Sequence, residues 1–146
     1  MDSLFIQKEI LINAPIESVF SALTTSDAIL NYFPLTAVES DWVVGGEVLY
    51  RGEVNGVAFT DYGVIEELTS PNHYAYRYWS DNHGTEKVAE NYLTISYRLE
   101  KRSNGTLLML EQRNIRSAAL YELMNNQVWN YLLASLKGYA ESVHST

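Results

Sequence analysis

Tyrosine is the residue type in this sequence whose number and spacing could do chemistry. The chain has 11 tyrosines, and three of them, Tyr74, Tyr76 and Tyr78, alternate with other residues. Alternating side chains of a β-strand lie on one face of its sheet. A tyrosine joins an apolar ring to a hydroxyl that needs a hydrogen-bond partner. Three tyrosines on one face of a strand are therefore unusual in a dry core. The pattern favours a semi-polar wall around a small apolar or aromatic molecule.

The same alternation identifies further candidates for this wall on other predicted strands and on the last predicted helix. Tyrosine hydroxyls, Gln112 and Asn125 would orient the polar groups of a ligand, and aliphatic side chains would bury its apolar surface. A solid core with hydroxyls at its rim is the alternative for each single residue. The predicted ligand-binding residues are Phe33, Trp42, Val48, Tyr50, Phe59, Asp61, Tyr74, Tyr76, Tyr78, Ile95, Tyr97, Gln112, Met124, Asn125, Val128 and Leu132.

Asp61 is the carboxylate in this set, and its orientation has two interpretations. Facing inward, it would need a partner or a raised pKa, and it could act with Tyr76 or Tyr97 as an acid–base pair. Facing water, it would pair across strands with Arg51 or Arg77. We favour the second interpretation, in which Asp61 is a surface residue.

Several kinds of site lack support in the sequence. The chain has no cysteine and only 3 scattered histidines. His83 lies among Asp81, Glu86 and Glu90, but this spacing matches no tight metal site. Neither a G-x-S-x-G motif nor a Walker glycine loop is present. We therefore predict no set of catalytic residues, no metal and no cofactor. These absences favour a protein that is not an enzyme.

Charge and hydropathy exclude two partner classes. The net charge is −8, whereas nucleic acids and anionic membranes attract clustered positive charge. No window approaches the roughly 18 apolar residues of a membrane span, and the first residues do not resemble a signal peptide. We expect a cytoplasmic protein that binds neither nucleic acid nor membrane, as a monomer or a homodimer.

The elements that must position these residues follow from the hydrophobic periods. With 146 residues, of which 47% are hydrophobic, the chain predicts one domain, residues 1–146, with one core. A first strand at 4–13 precedes two short helices at 15–23 and 26–32. Turn residues separate the following strands, so neighbouring strands should be antiparallel. These strands are predicted at 36–39, 46–54, 57–68, 73–79, 89–101 and 106–114.

A long amphipathic helix is predicted at 117–142, with Ser117 as its N-cap. It is the one element large enough to cover an antiparallel sheet. The prediction is an α+β helix-grip fold, in which a curved antiparallel sheet of six or seven strands surrounds this helix. A curved sheet and a straight helix do not match in shape, so a cavity is expected between them. The apolar stripe predicted for this helix comprises Tyr121, Met124, Val128, Tyr131, Leu132, Leu136 and Tyr139.

Residues over nearly the whole chain resemble one family in their order and spacing. They are the segment 12–20 (INAPIESVF), Trp42 followed by a Gly-Gly pair, the segment 63–67 followed by Pro71, and Trp129 followed by the leucines of the last helix. The chain resembles the START/Bet v 1-like superfamily, and within it the homologues of the activator of heat-shock-protein-90 ATPase. The resemblance implies a helix-grip fold with a pocket. Family members include binding proteins and co-chaperone domains.

The chain departs from the family pattern near the expected pocket. Phe33 and its two preceding residues stand where the family often has a tryptophan, and Val128 stands where a glycine usually precedes the helix tryptophan. The identity of a family ligand therefore cannot be carried over to this chain.

Three functions remain open from the sequence. The preferred one is a binding protein for a small apolar or aromatic molecule in the cavity between sheet and helix. The alternatives are an enzyme of the cyclase or dehydratase kind that uses the same cavity, and an interaction module with a chaperone as a possible partner. Function resides in the site rather than in the fold, so the cavity wall decides between them.

Overall fold

The computed structural model describes the backbone of residues 4–145 and the side chains of residues 4–143. Seven strands form one antiparallel sheet in the order β1-β7-β6-β5-β4-β3-β2. Strands β2 to β7 follow one another as hairpins, and β1 joins the sheet at the free edge of β7. The strands are β1 Leu4–Ile12, β2 Leu35–Ser40, β3 Glu47–Val54, β4 Val57–Thr69, β5 His73–Ser80, β6 Leu93–Arg102 and β7 Gly105–Ile115.

Two short helices, α1 Ile16–Leu23 and α2 Ser26–Ile29, connect β1 to β2. The C-terminal helix lies against the sheet and comprises α3 Ala118–Leu123, a π segment Met124–Val128 and α4 Trp129–Ser145. The Ser117 hydroxyl accepts a hydrogen bond from the Leu120 N–H at 3.2 Å, so Ser117 is the N-cap as predicted. The predicted helix-grip fold, with two short helices after the first strand, is confirmed.

Local chemistry explains why the strands turn where they do. Asn55 and Gly56 both have positive φ angles, 52° and 82°, as a tight hairpin turn between β3 and β4 requires. At the other side of the sheet, the buried Thr106 hydroxyl donates to the Ala14 carbonyl oxygen at 2.8 Å. This bond holds the start of β7 against the chain that leaves β1.

The core lies between the inner face of the sheet and the helices. On β5, Tyr74, Tyr76 and Tyr78 are all buried, which agrees with the face expected from their alternation. Leu108 and Leu110 of β7 are buried on the same side. The inner face is therefore apolar at its edges and rich in tyrosine at its centre.

Two predicted element boundaries are wrong. The strand predicted at 89–101 begins at Leu93, because Ala89–Asn91 forms a single 3₁₀ turn in which the Asn91 side chain donates to the Glu86 carbonyl oxygen. The second short helix ends at Ile29 rather than at residue 32. The backbone N–H of Tyr32 bonds the Ile29 carbonyl oxygen in a tighter turn, which carries the chain toward β2.

The predicted stripe of the C-terminal helix is wrong at Tyr131. Tyr131 is 59% exposed, whereas Trp129 is 2% exposed. The π segment adds a residue to one turn, so the adjacent residues Val128 and Trp129 can both face the sheet. Regular α-helical spacing, on which the stripe was based, does not anticipate this change of phase.

Gly105 provides a test of the β6–β7 turn. An added Cβ at Gly105 would lie 2.2 Å from the Ile12 carbonyl oxygen, and the φ angle of 147° is unfavourable for any other residue. We expect Gly105→Ala to lower the free energy of unfolding by more than about 2 kcal/mol, measured by urea denaturation.

Gly138 is the matched control, because a Cβ there meets no atom within 4 Å. Gly138 is exposed within α4, so Gly138→Ala should raise the free energy of unfolding by about 0.5–1 kcal/mol. Equal stability of the two variants would contradict the assigned geometry of the turn.

Candidate functional site

A cavity of about 740 Å³ lies between the C-terminal helix and the inner faces of β4, β5 and β6. This volume falls within the range of small-molecule sites. Its wall joins side chains of the sheet to side chains of the π segment and α4. The lining residues are Phe33, Pro34, Val54, Phe59, Asp61, Tyr76, Tyr78, Asn82, His83, Ile95, Ser117, Ala119, Leu120, Leu123, Met124, Gln127, Val128, Trp129, Tyr131 and Leu132.

Three apolar side chains mark the mouth of the cavity. Val54 at the end of β3, Leu123 at the end of α3 and Tyr131 in α4 all line the cavity and are all exposed. Deeper in, Tyr76, Ile95 and Leu132 line it and are buried. The exposed polar residues Asn82, Ser117 and Gln127 also line the cavity, so it runs from a mixed apolar and polar opening to an interior between sheet and helix.

A hydrogen-bonded chain connects the helix to the sheet beside this interior. The indole Nε1–H of Trp129 donates to Oε1 of Gln112 at 2.6 Å, and Nε2 of Gln112 donates to the Tyr78 hydroxyl at 3.1 Å. An indole N–H can only donate, so it fixes which end of the Gln112 amide is the acceptor. The Tyr78 oxygen accepts from that amide, and its own proton stays available to another acceptor.

A second group of tyrosines fills the core directly behind the cavity wall. The hydroxyls of Tyr50 and Tyr74 are 2.8 Å apart, and the Tyr74 ring stacks on Tyr76 and Tyr97 with centroid distances of 5.1 and 6.0 Å. Burial raises the pKa of Tyr50 and Tyr74 well above the usual value, so both phenols stay neutral. Their hydroxyls bond each other, which explains how a tyrosine-rich core is stable here.

Asp61 faces the cavity, and the favoured prediction that it lies in water is wrong. Its register partners are Tyr50 on β3 and Ser80 on β5, and both are buried on the inner face. The residue is half-buried and belongs to the cavity wall. The alternation of side chains along β4 correctly predicted that Asp61 lies on the inner face. The preference for a surface ion pair predicted the wrong face.

The arginines expected beside Asp61 have other partners on the outer face of the sheet. Arg51 lies 3.4 Å from Glu39, and Arg77 lies 3.6 Å from Glu66. None of the ion pairs found among the described side chains includes Asp61. No described side chain therefore neutralises its negative charge by an ion pair.

Burial raises the pKa of the Asp61 carboxyl to about 6. The polar Ser80 side chain on the neighbouring strand acts on this pKa in the opposite direction, and the nearby charge of Asp81 adds to the rise. At pH 7.5 most of the carboxyl is ionised, so a charge stands in a largely apolar wall. Such a charge lowers the stability of the folded protein.

The segment between β5 and β6, residues 81–92, brings His83 to the same end of the cavity. The His83 ring lies 5.8 Å from the Tyr78 ring, edge to face. Its Nδ1 atom is buried and has no hydrogen-bond partner among the described residues, and burial lowers the pKa of the ring. On the outer face, Lys87 of the same segment lies 3.9 Å from the centre of the Tyr62 ring and holds the segment against the sheet.

The structure brings only some of the predicted ligand-binding residues to the cavity. Those in its wall are Phe33, Phe59, Asp61, Tyr76, Tyr78, Ile95, Met124, Val128 and Leu132. Those outside it are Trp42, Val48, Tyr50, Tyr74, Tyr97, Gln112 and Asn125. The role of every one of these residues in binding a ligand stays a prediction.

The residues outside the wall share a physical reason for their positions. Trp42 packs on the Tyr74 ring at 5.8 Å, in the tyrosine-rich part of the core, and Val48 is fully buried. Gln112 is covered by Trp129, with which it bonds, and the Asn125 amide donates to the Asn126 side chain. Strand alternation identifies the inner face, but it does not separate the filled end of that face from the open end.

Wall residues that the sequence did not identify lie in loops or on the helix. Asn82 and His83 belong to an irregular segment without a period, and Gln127 and Tyr131 follow the phase change of the π segment. A run of residues rich in Asn, Asp and Gly gives no signal of which side chain turns inward.

The acid–base interpretation of Asp61 has only part of the geometry it needs. The carboxylate lies in the cavity wall, but the polar side chain beside it on β5 is Ser80, whose hydroxyl donates to Asn82 Oδ1 at 2.7 Å. The hydrogen bonds found within residues 4–143 include none between Asp61 and a tyrosine hydroxyl. Binding by this wall therefore has more support than proton transfer.

Two other kinds of site are not seen in the described part of the chain. No group of three or more His, Asp or Glu side chains stands close enough to hold a metal ion. Among residues 4–145, no helix combines the length and the apolar composition that a bilayer crossing requires.

Comparisons with known proteins agree with this geometry. The family model described as Activator of Hsp90 ATPase homolog 1-like protein matches residues 13–141. The chain is 30% identical to a protein from Cytophaga hutchinsonii with a known solution structure; the match covers 100% of this chain and 99% of that one, with a TM-score of 0.83. The family resemblance noted in the sequence is confirmed. No curated protein matches the chain.

More distant structures share the fold. A protein from Nitrosomonas europaea is 15% identical, with 98% of this chain and 97% of that chain covered and a TM-score of 0.81. The Aha1 dimer from Colwellia psychrerythraea is 22% identical, with 94% and 96% covered and a TM-score of 0.75.

The charge of Asp61 should be visible in the pH dependence of stability. A carboxyl whose pKa is raised by folding destabilises the protein once pH exceeds its unfolded value, and the effect is complete above pH 6. Asp61→Asn should raise the free energy of unfolding by about 2 kcal/mol at pH 7.5 and by almost nothing below pH 4. Urea denaturation across this pH range measures the difference.

Asp41→Asn is the control, because Asp41 is an exposed aspartate outside the cavity. It makes the same change of charge without a buried site. A gain in stability that is the same for both variants, or the same at every pH, would show that Asp61 is not desolvated.

The bond between Trp129 and Gln112 can be tested by a double-mutant cycle. Gln112→Met leaves the buried Trp129 N–H without an acceptor, so it should cost about 2 kcal/mol of unfolding free energy. The same substitution in a Trp129→Phe background should cost about 1–2 kcal/mol less, since that donor is gone. Gln127→Met, an exposed change of the same type, should be nearly neutral; additive costs in the cycle would contradict the bond.

Proposed function

Since the chain belongs to the family of Activator of Hsp90 ATPase homolog 1-like proteins, we propose that it binds a small apolar or aromatic molecule in the cavity beneath its C-terminal helix. The fold of this family supports a module for ligand binding or interaction in general. The observation that carries the specific proposal is the cavity of about 740 Å³ with its mainly apolar and aromatic wall.

Burial of apolar surface supplies the driving force. A ligand that removes about 200 Å² of apolar surface from water gains about 5 kcal/mol before the costs of association. Phe59, Ile95, Met124 and Leu132 offer that surface on opposite sides of the cavity. The Tyr78 hydroxyl, whose proton is free, can donate to a polar group of the ligand.

A second candidate function is interaction with another protein, through the mouth of the cavity. Val54, Leu123 and Tyr131 are apolar or aromatic side chains that face solvent together, and Val57 beside them on the β3–β4 hairpin is also exposed. Such a patch is typical of an interaction surface. The Aha1 protein of Colwellia psychrerythraea, which has this fold, is a dimer.

Light scattering over a range of protein concentrations distinguishes these two functions. A dimer that Tyr131→Ser converts to a monomer would favour the interaction role. A monomer at every concentration, with ligand binding intact, would favour the binding role. Chaperone recruitment would need a further partner-specific measurement.

Filling the cavity should abolish binding without unfolding the protein. Val128 lies half-buried in the wall, so Val128→Trp would place a large ring inside the cavity. We expect this variant to bind N-phenyl-1-naphthylamine, a neutral apolar fluorophore, at least tenfold more weakly than the wild type. Fluorescence titration measures the dissociation constants.

Val44→Trp is the matched control, because Val44 is exposed in the β2–β3 connection and lies outside the cavity. It should bind the fluorophore as the wild type does. A wild type that does not bind the fluorophore, or a Val128→Trp variant that binds it unchanged, would count against a ligand in this cavity.

A further inference from the structure

We propose that the molecule bound in this cavity is an apolar or aromatic amine whose cationic nitrogen pairs with the Asp61 carboxylate. This inference rests on the proposed function, and it adds the chemical class of the ligand. It follows from the charges in the cavity wall, its aromatic rings and the net charge of the chain.

The first observation is a carboxylate without a counter-ion. Asp61 stands in a wall whose described lining residues include no lysine and no arginine. Arg51 and Arg77, the closest arginines in the strand register, are paired with glutamates on the outer face. An ionised carboxylate in an apolar wall is costly unless a cation joins it. A ligand with a positive nitrogen would supply that cation.

The second observation is that His83 does not provide the missing charge. It is the one basic side chain in the described wall, and burial lowers the pKa of its ring, which keeps the ring neutral. Its Nδ1 atom is already buried without a partner among the described residues. Desolvation of the ring is not offset by attraction from the Asp61 charge, so the neutral ring is the stable form.

The third observation is the aromatic surface around the carboxylate. Tyr78 lines the cavity on β5 opposite Gly63, two residues from Asp61 on β4, and Phe59 lies two residues from Asp61 on the other side. Tyr76 and Trp129 line the same cavity. The face of an aromatic ring attracts a cation, and the attraction grows when water is excluded. A carboxylate together with aromatic faces can hold an ammonium group more tightly than either can alone.

These features also set the orientation of the ligand. Its nitrogen would lie at Asp61, and its apolar body would contact the buried side chains of Ile95 and Leu132 deeper in the cavity. The net charge of −8 attracts cations toward the protein and repels anions. An acidic ligand of the same shape would be repelled both by the Asp61 charge and by the net negative charge of the protein.

A ligand with a hydroxyl group is the main alternative. A hydroxyl could accept the free proton of Tyr78 and donate its own to Asp61. It would, however, leave the negative charge of Asp61 uncompensated, whereas an ammonium group compensates it. We therefore favour the amine, and the experiment includes the alcohol as a direct competitor.

Three compounds of matched shape test the proposal: 4-phenylbutylamine, 4-phenylbutan-1-ol and 4-phenylbutyrate. Isothermal titration calorimetry or displacement of N-phenyl-1-naphthylamine would give their affinities for the full chain at pH 7.5. We expect the amine to bind at least tenfold more tightly than the alcohol, and the alcohol more tightly than the carboxylate. In Asp61→Asn the advantage of the amine over the alcohol should fall to less than about threefold.

Asp61→Asn should fold, because it removes a desolvated charge from the wall. Glu122→Gln is the matched control: Glu122 is exposed on α3 and does not line the cavity, so the variant changes the net charge equally but leaves the wall intact. It should retain the preference of the wild type for the amine.

The outcomes separate this inference from the proposed function. Binding of the alcohol as tightly as the amine, or an amine preference that survives in Asp61→Asn, would overturn the amine proposal and leave the binding function in place. If Glu122→Gln loses the preference for the amine as much as Asp61→Asn does, the preference comes from the net charge of the protein. That result would also overturn the proposal. Failure of all three compounds and of the neutral fluorophore would overturn both.

Discussion

The space beneath the C-terminal helix depends on the hydrogen bond between Trp129 and Gln112. Both side chains are buried, and each would be costly to leave without a partner. The bond therefore sets the height of the helix above β7 at the point where the cavity begins. Because Gln112 also bonds Tyr78, the constraint passes across β6 to the strand that forms the centre of the wall. The Trp129 ring also packs on Tyr97 of the sheet, with centroids 6.1 Å apart, so the position of the helix is fixed at this point.

The two ends of the inner face serve different physical purposes. At one end, Tyr74 and Tyr97 stack on each other in the core, and the Tyr74 hydroxyl bonds that of Tyr50. At the other end, Asp61 has no ion-pair partner and the His83 Nδ1 atom has no hydrogen-bond partner among the described residues. Proteins commonly satisfy the rules of packing throughout the core and break them where a ligand is to be bound. The contrast between the ends is thus more informative than the presence of tyrosines alone.

The sequence predicted the fold well because long-range packing did not compete with its local signals. Alternation placed Tyr74, Tyr76 and Tyr78 on one face, and turn residues such as Asn55 and Gly56 marked where strands end. The site was predicted only in part. Alternation shows which side of a strand faces inward. It does not show where along the sheet the helix packs on the strands and where the cavity begins.

Two features of the site had no readable signal in one sequence. The general preference of a carboxylate for water favoured the wrong orientation of Asp61, because its place in the cavity wall contradicts that preference. The π segment at 124–128 breaks the helical period from which a stripe is predicted, so Tyr131, assigned to the buried stripe, is instead exposed at the mouth of the cavity. Its presence has an evolutionary consequence. Loss of one residue from this turn would restore a regular helix and rotate α3 by roughly 100° relative to α4, so Leu120 and Leu123 would leave the wall while the Trp129 contact stayed in place. Changes in chain length within a single turn could thus diversify ligand preference among relatives of this fold without remodelling the sheet.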